Sequence, residues 1–146
     1  MKHATLKASC LLVVLLCLCK TGICSESKAF PVIISNALEK YQKEGADHLI
    51  PNLLLGSPIE GDKQALSQAN LIRQIETFYG KYQKAELFKI VTITQSTTLV
   101  YFVMKYEKGP LYGSATVFNH NGKEVIPTFN FHTDIQNIFP SEIIFK

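Results

Sequence analysis

Few side chains in this sequence are of the types that move protons or hold metals, and their spacing decides what they could do. Beyond residue 24 the histidines are His48, His120 and His132. His48 follows Asp47 directly, and adjacent residues of a helix diverge instead of facing one another. His120 stands beside Asn121-Gly122, where a turn predicts an exposed ring. His132 and Asp134 lie two apart at the end of Phe129-Asn130-Phe131-His132-Thr133-Asp134. On a strand they would share a face, which makes them, with Tyr106, the candidates for acid–base work. The plainer expectation is a strand end hydrogen-bonded to its neighbours. No nucleophile elbow, phosphate loop, dinucleotide fingerprint or zinc-spaced pair occurs. The separation of His48 from His132 carries no metal signal. These residues therefore imply no cofactor and no metal.

Charge narrows the partners. The chain has 15 Lys and Arg against 12 Asp and Glu, but Lys2, Lys7 and Lys20 fall in the first 24 residues, where no acid occurs. Residues 25–146 are formally neutral, with twelve bases and twelve acids. Tyr101, Lys105, Tyr106 and Lys108 interleave rings with cations, yet Glu107 lies among them. A neutral body without a basic stripe predicts no nucleic-acid partner.

The first residues read as an export signal. Met1–Lys7 is basic, Ala8–Cys19 is apolar, and the small residues Gly22, Cys24 and Ser25 precede the polar chain. The apolar run is about 12 residues, short of the roughly 20 that span a bilayer. The expectation is a cleaved signal peptide over residues 1–24 and one domain over 25–146, periplasmic or secreted, with no stable membrane insertion after cleavage. Cys10, Cys17, Cys19 and Cys24 all lie in the leader, so the exported domain would hold itself without disulfides. The alternative, a lipid-anchored cysteine, has Leu or Ile before each candidate where a small residue is wanted.

The elements that must position these groups fall into two halves. The pattern is helical from Glu26 to about Tyr79 and strand-like from Ala85 to His132. Helices first and strands afterwards imply an α+β fold. The first helix is expected from near Pro31 to Glu44, with Val32, Ile34, Ala37, Leu38 and Tyr41 on its apolar side. A second is expected over Asp47–Leu55, broken by Pro51. The third begins at an Asp62 cap, buries Leu71, Ile72, Ile75, Phe78 and Tyr79, and ends at Gly80. Four strands follow, Ala85–Gln95, Thr98–Lys108, Pro110–His120 and Lys123–His132, with turns at Ser96-Thr97, Lys108-Gly109 and Asn121-Gly122. Pro127 marks the last strand as an edge.

Those turns fix a register and sort the faces. The helix-covered face is expected to receive Leu87, Lys89, Val91 and Ile93, then Val100, Phe102, Met104 and Tyr106, then Leu111, Gly113, Ala115 and Val117. It would also receive Ile126, Thr128, Asn130 and His132, although one bulge would exchange the two sets of the fourth strand. Tyr106, Thr128, Asn130 and His132 would then form the polar mouth of a site for a small, partly apolar ligand. The other face would present Phe88, Ile90, Leu99, Tyr101, Val103, Tyr112, Phe118, Phe129 and Phe131. So apolar a face, with little chain left to cover it, predicts a homodimer.

Gly80-Lys81-Tyr82, the stretch Tyr106-Glu107-Lys108-Gly109-Pro110-Leu111 and Asn130-Phe131-His132-Thr133-Asp134 are similar to small exported bacterial domains of the nuclear transport factor 2-like superfamily. The resemblance covers about residues 28–140. It implies a cystatin-like α+β roll, in which N-terminal helices pack on a curved four-stranded antiparallel meander. That fold hosts enzymes, ligand binders and dimerisation modules, so it selects no activity. The Asp–His arrangements of its isomerases and dehydratases have no clear counterpart here. The expected function is a non-catalytic binding or interaction module. The alternatives are a small hydrolase or isomerase using His132 with Asp134, or Tyr106, and a structural homodimer without ligand.

Overall fold

The computed structural model, which describes residues 29–145, places helices before strands as the periodicity predicts. The expected leader, with its four cysteines, lies outside the described residues. Helix α1 spans Val32–Glu44. A 3-10 turn, Ala46–His48, leads into α2, Leu49–Leu53, and α3 spans Lys63–Tyr79. The strands β1 (Tyr82–Thr92), β2 (Thr97–Tyr106), β3 (Pro110–His120) and β4 (Lys123–His132) form one antiparallel sheet in the order β1-β2-β3-β4. A 3-10 turn, Ile135–Asn137, and a short α4, Ser141–Ile144, follow. The fold is α+β, and β4, which carries Pro127, is an edge strand.

Local chemistry accounts for the helix ends. The Asp62 side chain accepts from Ala65 N at 2.8 Å, satisfying a donor that the first turn of α3 leaves free. Gly45 and Gly80 follow α1 and α3 with φ of 96° and 82°, the left-handed region that a glycine enters without strain. Pro51 does not break α2. It lies in the first turn, where its missing N–H would have had no helical partner. Val32 and Phe78, expected on buried stripes, are exposed; Ile34, Ala37, Leu38 and Tyr41 on α1, and Ile72 and Ile75 on α3, fill the core.

Three register shifts interrupt the pairing: one at Gln83 early in β1, and one each in the middle of β1 and of β4. The β2–β3 pairing keeps the expected facing: Val100 opposes Ala115, Phe102 opposes Gly113 and Met104 opposes Leu111, all buried beneath the helices. In β1, Leu87 pairs with Phe102 but Lys89 pairs with Tyr101, leaving Phe88 as an extra residue. Ile90 therefore turns towards the helices with its partner Val100, while Lys89 and Val91 face outwards with Tyr101 and Leu99. The β1–β2 turn is also longer than Ser96-Thr97, since Ile93 N and Thr94 N both donate to Thr97 O, and Ile93 is exposed.

In β4 the shift comes between Val125, paired with Phe118, and Thr128, paired with Thr116. Ile126 and Pro127 together oppose Val117. Pro127 has no N–H to give a ladder, so the irregularity falls where it removes least. The Ile126 carbonyl is taken by the buried Ser57 hydroxyl at 2.6 Å. Beyond the bulge the two sets exchange. Phe129 and Phe131 turn inwards beside Ala115 and Gly113, and Thr128, Asn130 and His132 turn outwards beside Thr116, Ser114 and Tyr112.

The outer face is also less bare than expected. Phe139, from the segment after β4, is 2% exposed and packs against Phe88, Tyr101 and Tyr112. Phe88, Ile93 and Phe118 remain exposed. Among the described residues, no helix is long and apolar enough to cross a membrane.

Candidate functional site

The four residues expected to form one polar mouth are not brought together. Tyr106 is buried under the helices, and Thr128, Asn130 and His132 stand on the opposite face of the sheet. Thr128 and Asn130 border a shallow recess with Ile59, Gln64 and Gln68 instead. The atoms of His132 and Asp134 serve the strand end. His132 Nδ1 accepts from Asp134 N at 2.9 Å and lies 3.3 Å from Asn137 Nδ2, while Asp134 Oδ1 accepts from Gln136 N at 3.0 Å. The two side chains cap successive turns rather than pairing with each other.

Tyr106 belongs to a cluster that local spacing could not reveal. The Tyr41 hydroxyl lies 2.9 Å from Glu76 Oε1 and 3.1 Å from the Tyr106 hydroxyl. A hydroxyl carries one proton. Tyr41 therefore donates to the carboxylate, the stronger acceptor, and the proton between the two phenols is that of Tyr106. Tyr82 stacks on the Tyr41 ring at 4.3 Å and meets Tyr106 edge-on at 5.8 Å. Burial raises all three phenols, Tyr82 to about 12 and Tyr41 and Tyr106 further. For Tyr41 the bond it donates to the Glu76 carboxylate adds to burial. The hydroxyls of Tyr41 and Tyr106 tie α1 and α3 to the sheet in their neutral forms.

A groove of about 900 Å³ opens between α1, the loop after α2 and the β3–β4 hairpin. One stripe of α1, from Val32 through Asn36 to Lys40 and Lys43, forms a wall, with Ile33 partly buried between it and the core. Leu55, Gly56 and Glu60 form the second wall and Asn119, Lys123 and Glu124 the third. The hairpin is fixed by its turn: Asn121 and Gly122 have φ of 52° and 81°, as a two-residue turn between twisted strands requires. Pro31 offers α1 no side-chain cap, and Glu124 on β4 supplies one, its Oε2 accepting from Ile33 N at 2.9 Å. A carboxylate there also meets the positive end of the helix.

The groove is mixed in character. Val32 and Leu55, 65% and 62% exposed, are its apolar sides. Lys43 pairs with Glu39 and Lys40 with Glu44, whereas Lys123 forms no ion pair among the described residues. The Lys123 ammonium instead reaches Gly56, where an added Cβ would stand 3.1 Å from Nζ. Asn36, Asn52 and Asn119 add carboxamides, with Asn52 Nδ2 donating to His48 O and Asn119 Oδ1 accepting from Gly122 N. Sequence reasoning placed Val32 in the core and missed this site, because three remote segments build it. No cluster of His, Cys, Asp and Glu among the described residues could hold a metal ion.

No family model, curated protein or solved structure matches the chain.

Proposed function

We propose that this chain is an exported, non-catalytic binding module of the cystatin-like roll type. Its ligand is a small, partly apolar molecule with one anionic group, held in the groove between α1 and the β3–β4 hairpin. The observation that carries this reading is the pairing of exposed Val32 and Leu55 with Lys123, which forms no ion pair among the described residues. Aliphatic walls accept an apolar body, and a cation without a partner accepts a carboxylate at little desolvation cost on an open surface. The carboxamides orient it. The basic, then apolar, N-terminus supports export, and the neutral balance of residues 25–146 supports a partner that is not a nucleic acid.

A thermal-shift screen of medium-chain and aryl-alkyl carboxylates tests the site. Compounds that stabilise the parent should lose at least about fivefold in affinity, roughly 1 kcal/mol, in Lys123→Gln and in Leu55→Ser. Asn130→Ala and His132→Ala should leave them unchanged. Hits that depend on Asn130 or His132 and ignore Lys123 would move the site to the other face of β4, and a screen without hits would overturn the ligand class.

A further inference from the structure

We infer that the outer face of the sheet carries a socket for one phenylalanyl side chain, and that the C-terminal segment of a second copy exchanges for the chain's own. The inference is independent of the groove. Phe139 is buried apart from the main core, in a three-sided aromatic box. Phe88 stacks on it at 4.8 Å, and Tyr101 and Tyr112 meet it edge-on at 5.4 and 5.6 Å. Offset and edge-on rings at these distances are the favoured aromatic geometries. The bulge in β1 builds one wall, because Phe88 is the residue it inserts.

The way the occupant is held makes it exchangeable. Backbone bonds of the segment close within it: Ile138 N and Phe139 N to Ile135 O, Ile143 N to Pro140 O, Phe145 N to Ser141 O. Among the described residues none of its backbone groups joins the sheet ladder. Its polar ties to the sheet both end on His132 Nδ1, from Asp134 N and Asn137 Nδ2, at the hinge itself. Releasing the segment therefore breaks no ladder bond; it exposes the Phe139 ring, its one fully buried side chain, together with the half-buried Ile135, Ile138, Ile143 and Ile144, and a unit held without ladder bonds is of the kind that opens locally. Phe145, 77% exposed, adds nothing to the hold.

Every copy carries one plug and one socket, so a two-fold exchange reproduces the same contacts in both directions. It also brings a second copy over Phe88 and Phe118, which one chain leaves exposed. The plug's own tether opposes exchange, since a short connection holds it at an effective concentration of about 1 mM.

A fluorescent peptide of residues 133–146 tests the socket against the full chain. The Phe139→Ala chain should bind it. The parent should bind about tenfold more weakly, because about 1 mM of its own plug competes against a dissociation constant on the order of 100 μM. The Phe139→Leu chain, which keeps an apolar plug and so its packing, should fall between them. A peptide carrying Phe139→Ala should bind none of the three. Isotope-filtered NMR on mixed labelled and unlabelled parent at about 1 mM should show contacts from Phe139 of one copy to Tyr101 of another. Equal affinity of parent and Phe139→Leu, retained binding of the altered peptide, or no contacts between copies would each overturn the inference.

Discussion

Gly113 is the position at which the core tolerates least. Its backbone takes no left-handed φ, so the demand for glycine is one of space. A Cβ there would stand 2.6 Å from Cε2 and Cζ of Phe102 and 3.1 Å from Cε1 of Phe131. Ordinary carbon contacts lie near 3.5–4.0 Å, so the Phe102 ring would have to retreat by about 1 Å. It has little room to do so, being 1% exposed and held edge-on between Phe30 and Phe131, both at 5.9 Å. Overpacking of this kind costs about 1–3 kcal/mol. Against it stands about 0.4–1 kcal/mol from stiffening the unfolded chain. Gly113→Ala should therefore lose about 1–2 kcal/mol, or roughly 3–10 °C in Tm for a domain of this size, in urea and thermal unfolding. Phe102→Leu removes the ring atoms that collide, so the glycine substitution should cost about 1 kcal/mol less in that background. A Gly113→Ala protein as stable as the parent would refute the packing argument, and so would additive effects of the two substitutions.

The tyrosine cluster supports two further expectations. Tyr41→Phe strands both the Glu76 carboxylate and the Tyr106 hydroxyl and should cost about 1–3 kcal/mol, whereas Tyr106→Phe leaves the bond to Glu76 and should cost about 0.5–1.5 kcal/mol; denaturant unfolding that reverses this order would contradict the assigned proton positions. Because burial raises Tyr41, Tyr82 and Tyr106, the folded state holds their protons more tightly than the unfolded state. Their contribution is complete below the ordinary phenol value near 10 and is lost as pH rises from there through about 12. Absorbance titration should show these three, along with Tyr101, which burial also raises, ionising late and in step with alkaline unfolding; ordinary titration of Tyr41, Tyr82 and Tyr106 in the folded protein would refute it.

The order of the elements was legible because each helix ends on its own local signal and the strands on theirs. Asp62, Gly45, Gly80 and Asn121-Gly122 act within a few residues of themselves, and the structure uses each as its chemistry dictates. The edge position of β4 was legible from Pro127 alone. Facing was legible along the whole strand only for β2 and β3, where the turn is tight and no residue is inserted; in β1 and β4 it failed from the central bulge onwards. In β1 nothing in the local sequence marks Phe88 as the extra residue, since its neighbours are equally good strand formers. That choice is settled by Phe139, 51 positions later in the numbering, whose ring stacks on it.

The fate of the candidate site follows from the same parity. A strand shows alternate residues to opposite faces, so a single inserted residue moves every later side chain across the sheet. Before the bulge at Ile126-Pro127 the literal register places Ile126 inwards, as observed. After it Asn130 and His132 leave the covered face and Phe131 enters. Space beneath the helices supports that choice, because Gly113 offers Phe131 room against its backbone and Phe102 offers it an edge. A polar pair there would have left an imidazole and a carboxamide to be satisfied in an apolar core. The bulge is thus favoured twice, by the ring that packs inside and by the polar groups it releases to water. The groove by α1 illustrates the converse. Val32, Leu55 and Lys123 have nothing unusual about them locally; the Glu124 cap on α1 and the Ser57 bond to Ile126 O hold β4 against the helix and the loop after α2, which makes them one surface.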